Sequence, residues 1–239
     1  DDVVDDVVDD VVDDVVDDVV DDVVLVEDSF TFNSNSADTL PGKGVREVAT
    51  QSYTALSAIP NWRKQLSHFD IAEFECDGSP TDGIVFPPHS RWRTLEHYWQ
   101  ASKIFLADEP FALTLRVGEL RGDGDGLSAK SFNRGQKMGA DKHVVNMSKD
   151  QLSEFHRKMP NIMYVGALAK FGQNPDKLAV LCATKQAKLM HLLSRVAKAK
   201  SLVRFGHYER VRSELCPTVT GGGNGKALVL CHNKYLQDD

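Results

Sequence analysis

At 239 residues, 41% hydrophobic and 26% charged, the chain is long enough for one well-filled core, and no apolar run approaches the roughly 18–20 residues of a membrane span. The net charge of −7 misleads, because residues 1–24 hold twelve Asp and no basic residue; setting these aside leaves +5 for the rest. A mildly basic body suits an anionic ligand but is too weakly charged to argue for nucleic acid.

Residues 1–24 are six copies of Asp-Asp-Val-Val. A helix would stack like charges at i,i+4, and a strand would spread Asp and Val over both faces, so the stretch is expected to be disordered. From Ser29 the composition turns globular. Phe30-Thr31-Phe32 predicts a short strand. In Pro41-Gly42-Lys43-Gly44-Val45-Arg46-Glu47 two glycines frame a lysine, which reads either as a loop that brings backbone and Lys43 to a phosphate or as an exposed turn. Tyr53 to Leu66 reads as helix or loop, and Phe74 to Gly78 as a strand entering a turn.

The stretch Arg91 to Phe105 carries the strongest helical pattern. Leu95, Tyr98, Trp99, Ser102, Phe105 and Leu106 fall on one face that can enter a core. Glu96, Gln100 and Lys103 fall on another stripe, and Trp92 overhangs the carboxylate if the helix starts that early. Two readings stay open. The stripe is a solvated row of ion pairs, or it sets a carboxylate beside an indole and a cation, as cleavage of a sugar–base bond requires.

Further on, Arg121 to Gly126 invites a calcium-loop reading, which fails because Arg121 and Phe132 stand where oxygen ligands are needed. Ser128 to Gly135 offers Lys130 and Arg134 near a glycine, as phosphate contacts or as a basic surface turn. A helix is predicted over Asn161–Phe171 with Pro160 near its first turn and Ile162, Val165, Leu168 and Ala169 inward. Asn174 reads as the cap of the next helix, and a further segment follows over Leu178–Leu193. Gly221 to Lys226 is no phosphate loop, since Thr220 replaces its leading glycine and Ala227 its Ser or Thr. The four cysteines, Cys76, Cys182, Cys216 and Cys231, show neither zinc spacing nor a disulfide scaffold, so a reducing, cytoplasmic compartment is the expectation. The eight histidines show no metal-ligand spacing, and no other nucleophile or cofactor motif is present.

Several of these blocks, in this order, resemble the YbiA-like, or NADAR, family in its longer variant. Pro41-Gly42-Lys43-Gly44 with Glu47 resembles an early Gly-Lys-Gly loop. Asn61-Trp62-Arg63-Lys64-Gln65-Leu66-Ser67-His68-Phe69 resembles Trp-Arg-Lys and Leu-Ser-Asn-Phe blocks. Trp92 to Lys103 resembles the central Glu-His-x-x-Gln-Ala-x-Lys helix, and Ala167 to Asn174 an Ala-Lys-Phe-x-Gln-Asn sequence. The ending departs: Phe205-Gly206-His207 is at best a remnant of a Trp-Gly segment, and the Gly-rich run lacks both Trp and Asp. His68 in place of Asn and Arg93 in place of a frequent Pro are further departures.

The resemblance implies a single compact α+β domain, predominantly helical with a few short strands, over residues 29–215. It would follow an acidic repeat at 1–28 and precede a divergent Gly-rich segment at 216–239. It also implies hydrolysis of an N-glycosidic bond in a ribose-phosphate compound, either a riboflavin-pathway intermediate or ADP-ribose linked to a base. ADP-ribosylated nucleic acid is a further form of such a substrate, and no cofactor or metal is expected. Glu96 is the expected catalytic carboxylate. Lys43, Lys103 and Lys130 are expected on phosphate or ribose, Trp92 on the base face, and His68, Phe69 and Tyr98 along the substrate site. The alternatives are a non-catalytic module binding ADP-ribose or NAD in the same pocket, and an inert scaffold for the acidic tail.

Overall fold

The computed structural model describes residues 27–134, 147–192 and 202–216. The Asp-Asp-Val-Val repeat and the run Gly221 to Lys226 lie outside the described residues. So does the cation of Arg134.

The expected strand at Phe30-Thr31-Phe32 is present as β1 (Ser29–Phe32), with all three of these residues buried. Two one-turn helices follow, α1 (Thr54–Ser57) and α2 (Trp62–Gln65). Next come two small ribbons built from β2 (Phe74–Glu75), β3 (Gly78–Ser79), β4 (Ile84–Val85) and β5 (Arg91–Trp92). The helices α3 (Leu95–Phe105), α4 (Glu109–Leu113), α5 (Gly126–Lys130), α6 (Lys149–Gln173) and α7 (Pro175–Ala183) make up the middle. The described chain ends with β6 (Lys188–Leu192), β7 (Leu202–Arg204) and α8 (Gly206–Leu215). The architecture is a mixed α+β single body, with helices predominating over small sheets.

The main sheet has the order β1-β6-β7, β1 parallel and β7 antiparallel to β6. This pairing sets Phe32 opposite His191 and so joins the first strand to the last quarter of the described chain. A parallel pair requires a long crossover, and nearly all the helices lie in it. Along β1, Phe30 packs edge-on to Tyr53 at 4.7 Å and to Trp62 at 5.3 Å, while Phe32 meets Phe205 at 5.2 Å.

Several expectations are corrected. Helix α3 buries Glu96, His97 and Gln100 along with Leu95 and Tyr98, because α4 and α5 pack on one side and α6 on another; its charged stripe is not a solvated face. Helix α6 starts well before Asn161. Ser148 and Gln151 form a reciprocal capping box, and Phe155 packs on Trp99 at 4.7 Å, so the helix runs through an exposed Pro160. Its inward stripe is Ile162, Met163, Gly166, Ala167 and Lys170, with Val165, Leu168 and Ala169 only half-buried. At Gly166 a Cβ would lie 2.4 Å from the Tyr98 ring, so glycine permits the close crossing of α3 and α6.

Asn174 stands before α7, but its amide closes the preceding helix instead: Nδ2 donates to the Lys170 carbonyl at 2.8 Å and to the Glu73 carbonyl at 3.0 Å. The segment Leu178–Leu193 is part helix and part strand, broken at a turn where Lys185 has φ +50. The cysteines also differ from expectation, since Cys182 and Cys216 form a disulfide that ties the end of α7 to the end of α8. The Arg121 to Gly126 turn binds its own backbone, with Asp125 capping α5 through the Ser128 N–H.

Candidate functional site

Thr94, in extended conformation, caps α3 by accepting from the His97 N–H at 3.3 Å, which places Glu96 in the first helical turn. The Glu96 N–H donates to the His68 carbonyl at 3.1 Å, so the start of α3 is stitched to the loop Ser67 to Asp70. Gln100, one turn on, donates from Nε2 to Glu96 Oε1 at 2.9 Å. The other carboxylate oxygen lies 3.8 Å from His68 Nδ1, and the two side chains are only 8% and 15% exposed. A helix N-terminus favours a carboxylate anion, but here desolvation wins. Burial raises Glu96 from 4.5 to about 7, against the pull of the Gln100 hydrogen bond and the charges of Lys130 and Lys103.

Two further imidazoles and a phenyl ring gather around His68. The Phe205 ring lies 4.9 Å from His68, 4.9 Å from His191 and 4.7 Å from His207, with His191 stacked nearly parallel to it. Tyr208 closes the cluster beneath, 5.9 Å from the His68 ring. Burial, reinforced by the mutual proximity of the histidines and by Lys130, keeps these imidazoles neutral. His191 and His207 are each brought down to about 4, and His68 falls well below its ordinary value. Below the loop, Lys170 is fully buried, donates to the Ser67 carbonyl at 3.3 Å and pairs with Asp70 at 3.6 Å. Its burial lowers the ammonium to about 8.

The structure therefore brings together part of the expected set. Glu96, His68, Phe69 and Lys130 converge: Lys130 Nζ sits 5.5 Å over the Phe69 ring, and Gly126 lets α5 approach, since a Cβ there would lie 2.5 Å from Phe69 Cα. Lys103 is half-buried on the next turn of α3 and acts on Glu96 through its charge.

Trp92 and Tyr98 belong to the core. Helix α3 begins only at Leu95, so Trp92 lies in β5 and does not overhang Glu96; its indole N–H donates to the Cys76 carbonyl at 2.8 Å and its ring packs on Phe86 at 4.7 Å. Tyr98 is fully buried between Trp92, Phe86 and Phe74.

Lys43 is exposed, and the loop around it holds a different anion from the one expected. Glu47 Oε2 accepts from the Gly42 and Gly44 N–H groups at 3.1 and 2.8 Å, and both of its oxygens accept from Arg63, at 2.7 and 2.6 Å. The Gly-Lys-Gly and Trp-Arg-Lys blocks are thus two halves of one buried ion pair, with side chains 3% and 0% exposed. Sequence reasoning missed His191, Phe205, His207, Tyr208 and Lys170. Phe205-Gly206-His207, noted as a remnant, and the Ala167 to Asn174 block, which contains Lys170, carried the signals.

Among the described residues no group of three or more His, Cys, Asp or Glu side chains is placed to hold a metal ion. Phe205 stands between the three imidazoles, which suits that result. No helix among the described residues is long and apolar enough to cross a membrane. Set against protein-family models, curated proteins and solved structures, the chain has no match in any of the three comparisons.

Proposed function

We propose that the chain is a hydrolase that cleaves an N-glycosidic bond in a ribose-phosphate compound, as the resemblance to the YbiA-like family suggests, with Glu96 as its carboxylate. One observation carries the reading: a carboxylate almost sealed from water and held at about 7, in contact with Gln100 and facing a neutral imidazole. The other carboxylate with a nearly sealed side chain in an ion pair, Glu47, is committed to Arg63. Glu96 is not satisfied in that way, and perturbed groups of this kind mark functional sites.

In the proposed reaction the C–N bond to the base breaks and its electron pair leaves with the base nitrogen. The sugar carbon gains oxocarbenium character, which the Glu96 carboxylate stabilises. Water attacks that carbon and gives a proton to Glu96, and the base nitrogen takes up a proton. A carboxyl group poised near neutrality can accept a proton and return it without a large penalty. Gln100 fixes its orientation. Lys130 and Lys103 supply positive charge toward the phosphate side, and Phe69, Phe205 and His191, in place of Trp92, offer flat surface to the base.

A second reading is a non-catalytic ADP-ribose or NAD module, favoured by Phe205, which fills the centre of the histidine cluster. The substrates remain a ribose-phosphate or ADP-ribose compound, free or attached to nucleic acid. The cytoplasmic location is also a proposal, and the Cys182–Cys216 bond is the observation that speaks against a reducing compartment.

Product chromatography separates the two functions. Wild type and Glu96→Gln are each incubated with phosphorylated riboflavin intermediates, NAD and guanine-linked ADP-ribose. The proposal expects free base or free ribose phosphate from wild type alone, with turnover at least about a hundredfold lower in the variant. No release by either protein, with calorimetric binding of ADP-ribose, supports the module instead. Equal release by both removes Glu96 from the mechanism.

A further inference from the structure

Helix α6 turns a lysine into the core beneath the loop that faces Glu96. Lys170 is completely buried; its ammonium donates to the Ser67 carbonyl at 3.3 Å and lies 3.6 Å from an Asp70 oxygen. Both partners belong to the loop Ser67 to Asp70. The proposed bond cleavage gives this ammonium no role. Stability does not account for it either, since exchanging a buried ion pair for apolar groups of similar volume is often neutral or stabilising. Burial lowers Lys170 from 10.5 to about 8, against the pull of Asp70 and with the push of Lys177.

The loop links Lys170 to the candidate site along two routes. Along the backbone, the Ser67 carbonyl that receives the ammonium also accepts from the Asp70 N–H at 3.2 Å, which closes the turn. The next carbonyl, that of His68, accepts from the Glu96 N–H at 3.1 Å. Along the side chains, His68 Nδ1 stands 3.8 Å from Glu96 Oε2. After burial and the other two histidines, the charge of Lys170 is what holds this imidazole neutral, with Lys130 adding to it. The charged groups acting on Lys170 are Asp70 from the loop and Lys177 and Asp176 from α7, while Tyr208, from α8, senses both Asp70 and Glu96. The cations that act on Glu96 itself are Lys130 and Lys103, so Lys170 reaches the carboxylate through the loop.

We propose that Lys170 is a positioning residue for Glu96: by holding the Ser67 carbonyl and the Asp70 carboxylate it fixes the loop whose His68 carbonyl and imidazole bound the start of α3, and so keeps water from the Glu96 carboxylate. The proposal rests on the reading of Glu96 given above. Its primary readout is the state of that carboxylate and not turnover, so the two fail separately.

The test is Lys170→Met in the full chain. Methionine has nearly the volume of lysine, and Asp70 stays paired with Lys177 at 3.2 Å, so no buried charge is stranded and the variant is expected to fold. In a carbon-13 titration of the glutamate carboxyls, the Glu96 midpoint should fall from about 7 to below about 6, as the loosened loop admits water. Product chromatography should show kcat/KM lowered by about tenfold or more. A residue that merely stabilises the fold would shift the urea midpoint and leave the Glu96 titration of the folded variant in place; that result overturns the proposal. A second reading needs no variant. In wild type the ring carbons of His68, followed through the alkaline range, should inflect together with Cε of Lys170 at about 8. A His68 ring that ignores the Lys170 titration overturns the proposal as well. A lowered Glu96 midpoint in the variant, with no cleavage by wild type, keeps the role of Lys170 and removes the hydrolase; cleavage at equal rates with an unmoved midpoint does the opposite.

Discussion

Glu96 is retained at a cost in stability, and the cost has a sign that can be checked. Its folded value of about 7 lies above the ordinary 4.5, so between those values the folded protein holds a proton that the unfolded chain has released. The stability this gives is full below about pH 4.5 and declines as pH rises to about 7. Glu96→Gln removes the burden. At about pH 8 the variant is expected to be more stable than wild type by about 3 kcal/mol in urea denaturation, with the gain vanishing near pH 4. A variant that is less stable at pH 8 would make the carboxylate a structural group.

The histidines work in the opposite direction. His191 and His207 fall from 6.5 to about 4, and burial likewise lowers His68 well below its ordinary value, so the folded state releases protons that the unfolded chain binds. Their stability is present above about 6.5 and lost as pH falls toward 4. Thermal melts should therefore drop across that window, with a shallower slope in His191→Gln or His207→Gln.

At the scale of elements, the Gly-Lys-Gly loop shows how a motif can be read correctly as an anion nest and wrongly as to its anion. Gly42, Gly44 and Arg63 converge on Glu47, which comes from the chain itself. Arg63→Met, which strands this buried carboxylate, is expected to cost about 3–5 kcal/mol in urea denaturation, whereas Lys43→Ala should change stability by no more than about 0.5 kcal/mol. The helical period around Glu96 was legible because α3 has a strong cap and a clear pattern. The depth of its charged stripe was not, since that depends on α4, α5 and α6 arriving from elsewhere. Trp92 failed as a base platform for a local reason: Thr94 starts the helix one turn too late. Pro160 misplaced the start of α6, because a proline on an exposed face removes one hydrogen bond and does not end the helix.

Over the whole molecule, the candidate site depends on one long-range pairing. The parallel union of β1 with β6 puts His191 opposite Phe32, and β7 with α8 then delivers Phe205, His207 and Tyr208 to the loop at His68. His191 and Tyr208 have no local pattern that marks them, and Phe205-Gly206-His207 showed only as a remnant, so this part of the site could not be placed from sequence. The disulfide secures the same assembly: Cys182 and Cys216, 34 residues apart, hold α8 against α7, beside the bond from Arg212 to Thr184 Oγ1 at 2.6 Å. Closing a loop of that length is worth about 3–4 kcal/mol in the chain-entropy account. Reduction by a dithiol should lower stability by that amount in urea denaturation and increase hydrogen exchange in α8 first.

The central claim is that Glu96 is a sealed carboxylate poised near neutrality. The measurement that tests it most directly is a pH titration of the carboxyl carbons of glutamate by carbon-13 NMR, with Glu96→Gln assigning the resonance. A midpoint at about 7 for Glu96 agrees with the account. A midpoint at the ordinary value of 4.5 would mean that water reaches the carboxylate freely, and would contradict the account.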